Sequence, residues 1–76
     1  LEIITPEKEV FNGEVTSVKL PGNSGEFEVL NNHASIISTL TSGNVRVITI
    51  DNKTENFTIN GGVIEMKKNR IIVLAE

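Results

Sequence analysis

The chain has 76 residues, a net charge of −3 and no cysteine, so it reads as one domain that neither disulfides nor a thiolate-held metal can staple. A domain this small buries only about 60% of the surface its unfolded chain exposes, so its core must come from Leu, Ile, Val and the three Phe. The apolar share of 38% and charged share of 22% suit a folded domain, while the acidic balance disfavours a phosphate-tracking surface for nucleic acid. No apolar run approaches the roughly 18 residues of a membrane span, and no secretory signal opens the chain.

In chain order the sequence reads as short strands between turns. Glu2-Ile3-Ile4 opens the first strand, and Pro6 ends it for want of an N–H. Asn12-Gly13 is a turn signal, since both residues tolerate positive φ. Val15 to Leu20 is a second strand; the parity change between Val15 and the Val18/Leu20 pair predicts a bulge near Ser17 or burial on both faces. Pro21 to Gly25 reads as a loop. Glu26-Phe27-Glu28-Val29 then alternates, with Phe27 and Val29 inward and both Glu outward. Asn31-Asn32 makes a turn, and the β-branched run Ser35 to Leu40 favours a strand.

After a turn at 41–44, Val45 to Ile50 pairs through Asp51-Asn52-Lys53 with Thr54 to Ile59, where Phe57 and Ile59 share a face. Asn60-Gly61-Gly62 leads into Val63 to Met66. Lys67-Lys68-Asn69 is a hairpin tip, and Ile71 to Leu74 (IIVL) reads as a final strand buried on both faces. Turn signals every 8 to 12 residues or so mark an all-β sandwich or barrel. We expect a small, flattened β-sandwich of about eight to ten short strands.

The stretch 22–35, GNSGEFEVLNNHAS, holds the only histidine. A catalytic His needs a nucleophile and an orienting carboxylate, and no GxSxG-type motif supplies one; His33 reads instead as a residue that hydrogen-bonds a loop or a partner. With one His and no Cys, a metal would need an acidic cage, and no D-x-[DN]-x-[DN]-G run exists. Gly22-Asn-Ser-Gly25 lacks the GK[ST] ending and following helix of a phosphate loop. Glu26 and Glu28 lie about 7 Å apart by strand rise, a spacing seen in glycosidases, but there is no Trp or Tyr to line a sugar cleft. Lys67, Lys68 and Arg70 form the one basic cluster, a solvated hairpin tip rather than a nucleic-acid patch. The sequons Asn52-Lys-Thr54 and Asn56-Phe-Thr58 carry nothing without a secretory route. Glu65-Met66-Lys67-Lys68 suggests a biotin- or lipoyl-type carrier domain modified at Lys67 or Lys68, although the carrier fold places its Lys near mid-chain.

The ordered motifs LEIITPEKEVFNGEV, GNSGEFEVLNNHAS, TSGNVRV and GGVIEMKKNRIIVLAE span the chain. In this order they resemble the amino-terminal β-sandwich domain of the epsilon subunit of F-type ATP synthases. Gly22, Gly25, Glu26, Phe27, Val29, His33 and Ala34 fall on that family's pattern, as do the Gly-Gly-hydrophobic-hydrophobic-Glu run and the closing VLAE. Glu28 stands where a small residue is usual, Asn31-Asn32 where Pro-Gly is, and Ser35 where Pro is. Family members commonly continue into a helical hairpin, which is absent from these 76 residues.

The resemblance implies a non-catalytic central-stalk subunit without a cofactor. Such a subunit binds the gamma subunit and the c-subunit ring, and helps couple proton or sodium flow to ATP synthesis. It sits peripherally on the inner face of an energy-coupling membrane, here a bacterial plasma membrane. By the same resemblance Gly22, Asn23, Ser24, Gly25, Glu26 and Glu28 face the c ring, and His33 and Ser38 face gamma.

Overall fold

The computed structural model describes residues 1–30, 34–68 and 70–76. All the regular structure described is strand: β1 Glu2–Ile4, β2 Glu9–Asn12, β3 Val15–Gly22, β4 Gly25–Leu30, β5 Ile36–Leu40, β6 Gly43–Thr49, β7 Thr54–Ile59, β8 Gly62–Lys67 and β9 Arg70–Ala75. They hydrogen-bond in the order β2-β1-β9-β8-β5-β3-β6-β7, with β4 on β3. The path folds over between β5 and β3, whose ladder is the single pair Gly22↔Leu40. One half is β2-β1-β9-β8-β5 and the other β4-β3-β6-β7, so the expected β-sandwich is present, its layers being two halves of one curled sheet. At the far margin the edge strands meet again, where Phe11 of β2 and Phe57 of β7 stand edge to face with ring centroids 5.7 Å apart.

The core follows from the two-residue period of strands. Val18, Val29, Val45 and Val47 from one half and Ile3, Ile64, Met66 and Val73 from the other lie in one cluster, each at most 2% exposed. Phe27 and Val29 point inward and Glu26 and Glu28 outward, as their alternation predicts. The bulge also sits where parity put it. Val15 opposes Thr49 and Ser17 opposes Ile48, so Thr16 is the extra residue and both Val15 and Ser17 are buried.

One strand is unanticipated and two expectations are corrected. Glu9–Asn12 is a strand, an edge piece whose pairing to β1 is itself irregular between Ile3 and Ile4; without clean alternation it leaves no period to read. Strand β3 continues through Pro21 and Gly22 instead of ending in a loop. Pro21 lacks an N–H, but its carbonyl accepts from Thr41 N–H at 2.9 Å. The last strand is buried on one face only: Ile71, Val73 and Ala75 are inside, while Leu74 is 54% exposed. The chain does bend at Asn12-Gly13, but neither residue adopts positive φ, and Asn31-Asn32 lies outside the described residues.

The β6–β7 hairpin is closed by Thr49, whose hydroxyl donates to Asp51 Oδ1 at 2.5 Å and accepts from Lys53 N–H at 3.0 Å, while Asn52 takes a φ of 67°. The Thr49 hydrogen bond holds the Asp51 carboxyl below the ordinary carboxylate range.

Gly62 is the tightest backbone position. A Cβ there would lie 2.2 Å from the Leu74 carbonyl oxygen, and its φ is 148°. Gly25 also has a left-handed φ, 120°, but open space around it. Gly62→Ala is therefore expected to destabilise the domain by at least about 3 kcal/mol, and Gly25→Ala by only about 1–2 kcal/mol, the backbone strain alone. Urea midpoints of the two variants check the order.

Candidate interaction site

The residues singled out between 22 and 28 gather at one end of the sandwich. Gly22 pairs with Gly25 across a hairpin whose tip is Asn23-Ser24. Asn23 Nδ2 donates to Thr39 Oγ1 at 2.5 Å, tying the tip to β5. A shallow polar notch opens there, lined by residues 22–27 together with Ser38 and Thr39. Ser38 thus joins the Gly22–Glu26 group. Gly22 itself is buried, and a Cβ on it would lie 2.8 Å from the Phe27 ring. Its part is to let β3 pass beneath Phe27, which leaves contact to Asn23, Ser24, Gly25 and Glu26. His33 lies outside the described residues.

Glu26 and Glu28 project from the outer face of the β4-β3-β6-β7 half. Lys19 Nζ lies 3.7 Å from Glu26 and an Arg46 Nη lies 4.0 Å from Glu28. Register explains the pattern: Lys19 sits directly between Glu28 on β4 and Arg46 on β6. The two adjacent cations are each offset by one carboxylate, and cross-strand ion pairs of this kind contribute roughly 0.2–1 kcal/mol. The row continues through Asn56 on β7. This outer face is mainly charged and polar, with Leu30 54% exposed at the end of β4, and its charges largely pair with one another.

The outer face of the other half has the opposite character. Register places Ile4, Leu74, Val63 and Thr39 in one row across β1, β9, β8 and β5, and Glu2, Ile72, Glu65 and Ile37 in the next. Ile37 is 74% exposed, Leu74 54% and Val63 38%. No described element covers these side chains, and an apolar sheet face of this kind is the surface a partner buries. Reasoning from sequence missed it by placing Ile71 to Leu74 wholly in the core. The signal was there: apolar residues on both parities of a strand mean either two covered faces or one core face and one docking face.

Among the described residues, no group of three or more His, Asp or Glu could hold a metal, and no helix is long and apolar enough to cross a membrane. Lys67 and Lys68 are exposed at the β8–β9 hairpin, Lys68 with a φ of 50°.

The whole chain, residues 1–76, matches the β-sandwich domain family of the ATP synthase delta/epsilon chain. The chain belongs to this family. It is 43% identical to the ATP synthase epsilon chain of Chlorobium limicola, covering all of this chain and 86% of that one. It is 45% identical to the epsilon chain of Sulfurimonas denitrificans, of which it spans 58%. Two solved structures share the fold. A chain of the Euglena gracilis mitochondrial ATP synthase OSCP/F1/c-ring structure superposes with a TM-score of 0.90 at 20% identity, over 97% of this chain and 48% of that one. A chain of the Tetrahymena thermophila central stalk/c-ring structure gives 0.79 at 18% identity, over 97% of this chain and 60% of that one. Membership over the full 76 residues displaces the carrier-domain reading of Lys67 and Lys68.

Because the Glu28–Arg46 pair is half-exposed, Glu28→Gln is expected to lower stability by less than about 1 kcal/mol, and by nothing measurable in about 1 M salt. Urea titrations at low and high ionic strength check this.

Proposed function

We propose that the chain serves as the β-sandwich of a non-catalytic epsilon subunit in the central stalk of an F-type ATP synthase. It binds the gamma subunit and the c-subunit ring, so that rotation driven by proton or sodium flow is coupled to ATP synthesis. The observation that carries this reading is the contrast between the two outer faces in a chain of this family. One face is mainly charged and internally paired, with Leu30 an exposed apolar residue on it; the other exposes Ile37, Val63 and Leu74 with no described element over them. A subunit that transmits torque needs a rigid body with a dry contact on one side, and burial of exposed Leu or Ile supplies about 1.5–3 kcal/mol per side chain.

Gamma is assigned to the apolar rows and, following the family resemblance, to His33 and Ser38. The polar hairpin end is assigned to the c ring, with Asn23, Ser24, Gly25 and Glu26 as its contacts, Glu28 flanking them and Gly22 holding the turn. β5 borders both surfaces, since Ile37 stands in the apolar rows while Ser38, assigned to gamma, lies beside the hairpin notch assigned to the c ring. The subunit would lie peripherally on the inner face of an energy-coupling membrane, a bacterial plasma membrane by the kinship of its relatives, held there through its partners.

The test is retention by the gamma subunit. The protein should co-purify with gamma at micromolar concentration, and Ile37→Asp or Leu74→Asp should weaken binding about ten- to a hundredfold, the loss of one buried apolar anchor, with an unchanged far-UV spectrum. Unchanged binding in both variants would sink the assignment of this face. Glu26→Lys is expected to spare gamma binding, weaken attachment to the c ring, and leave the fold intact at a stability cost below about 1 kcal/mol.

A further inference from the structure

Asparagine precedes glycine twice, at Asn12-Gly13 and Asn60-Gly61, and serine once, at Asn23-Ser24. In such pairs little shields the following backbone nitrogen from the asparagine side chain, least of all before glycine, which has no Cβ. The fold treats the three pairs differently. At Asn12-Gly13 the Gly13 N–H donates to Leu1 O at 3.1 Å, and Asn12 is paired with Glu2 in the β1–β2 ladder. The nitrogen is thereby engaged. At Asn23-Ser24 the side-chain amide is engaged, because Nδ2 donates to Thr39 Oγ1 at 2.5 Å.

Asn60-Gly61 has neither restraint. Asn60 is exposed. Hydrogen bonds anchor the chain on each side: Asn60 N–H donates to Glu76 O at 3.1 Å, and Glu76 N–H to Gly61 O at 3.0 Å. Among the described residues no hydrogen bond engages the peptide group between them, Asn60 C=O and Gly61 N–H, although Gly61 is itself buried. The glycine is structurally required, since Gly61 has a φ of 136°, a conformation other residues adopt only under strain.

We propose that Asn60-Gly61 is a self-modifying site, at which Asn60 deamidates spontaneously with water as the sole co-reactant. The Gly61 backbone nitrogen, losing its proton to solvent base, attacks Asn60 Cγ. The new N–C bond forms as the Cγ–Nδ2 bond breaks, and ammonia leaves with the added proton. The resulting five-membered succinimide is opened by one water. Attack at one carbonyl yields Asp, and at the other isoaspartate, which carries an extra methylene in the backbone. No electron transfer is involved. Either product adds a negative charge at the β7–β8 corner. This is the Gly22 end of the sandwich, because Gly61 lies against the carbonyl of Leu40, the partner of Gly22. The isoaspartyl product also lengthens the chain next to Gly62, whose backbone has no room to shift against Leu74.

The test incubates the protein at neutral and mildly alkaline pH and maps it with trypsin. Cleavage after Lys and Arg separates the three pairs into peptides 9–19, 20–46 and 54–67. A gain of about one mass unit should accumulate in 54–67, at Asn60 and not Asn56 by fragmentation. It should rise with pH and run roughly tenfold faster than in 9–19, the upper value of one net hydrogen bond. In concentrated urea the two Asn-Gly pairs should react at similar rates, because the restraint on Gly13 is removed. Asn60→Gln should abolish the change in 54–67. Equal rates at Asn12 and Asn60 in the folded protein would overturn the proposal. So would an intact Asn60 after Asn12 has reacted, or a preference for Asn60 that persists in urea.

Discussion

At Gly22 the backbone of β3 pairs with Gly25 on one side and Leu40 on the other. Among the described strands this is where hydrogen bonding carries the sheet from one layer into the next. The joint works because there is no side chain on Gly22: the space a Cβ would need is filled by the Phe27 ring and the Gly25 carbonyl. Pro21 completes it by accepting from Thr41 and packing against Gly43. From this corner follow the closure of the sheet into a sandwich, the direction of the Asn23-Ser24 tip, and the separation of the two outer faces.

Those faces differ because the layers solve the same packing problem with different spare residues. Both halves give alternate apolar side chains to one core. In the β3-β4-β6-β7 half the outward positions include Lys19, Glu26, Glu28 and Arg46, which pair among themselves, and Asn56, which bonds Asn44; Leu30 is exposed beside them. In the β1-β5-β8-β9 half they include Ile4, Ile37, Val63, Ile72 and Leu74, over which no described element packs. A free domain gains nothing from leaving such rows in water. In the proposed stalk they become the contact with gamma, while the corner presents polar groups to the ring.

Strands with clean alternation were legible in advance. Phe27 and Val29 had to be inward because Glu26 and Glu28 could not be. The parity break at Val15 and Val18 required a bulge, and one sits at Thr16. Glu9–Asn12 was not legible, because a short edge strand needs no alternation to pair. Pro21 was misread for a related reason: a proline blocks one ladder donor, yet a strand at a layer crossing does not need that donor. The candidate site was half legible. The hairpin and its Glu pair stood out in the sequence, whereas the apolar rows did not, since Ile71 to Leu74 is equally consistent with one covered face or two.

The sequence by itself determined the all-β architecture, its inward residues, the absence of any thiol chemistry, and the kinship carried by its ordered motifs. These depend on local period and residue type, which chain order preserves. Tertiary structure alone decided which apolar face stays open, that Ser38 joins the Gly22–Glu26 notch, and that Asn60 lacks the restraint placed on Asn12 and Asn23. Each of these turns on what lies across a ladder or a corner, often dozens of residues away, and no local pattern records that neighbour.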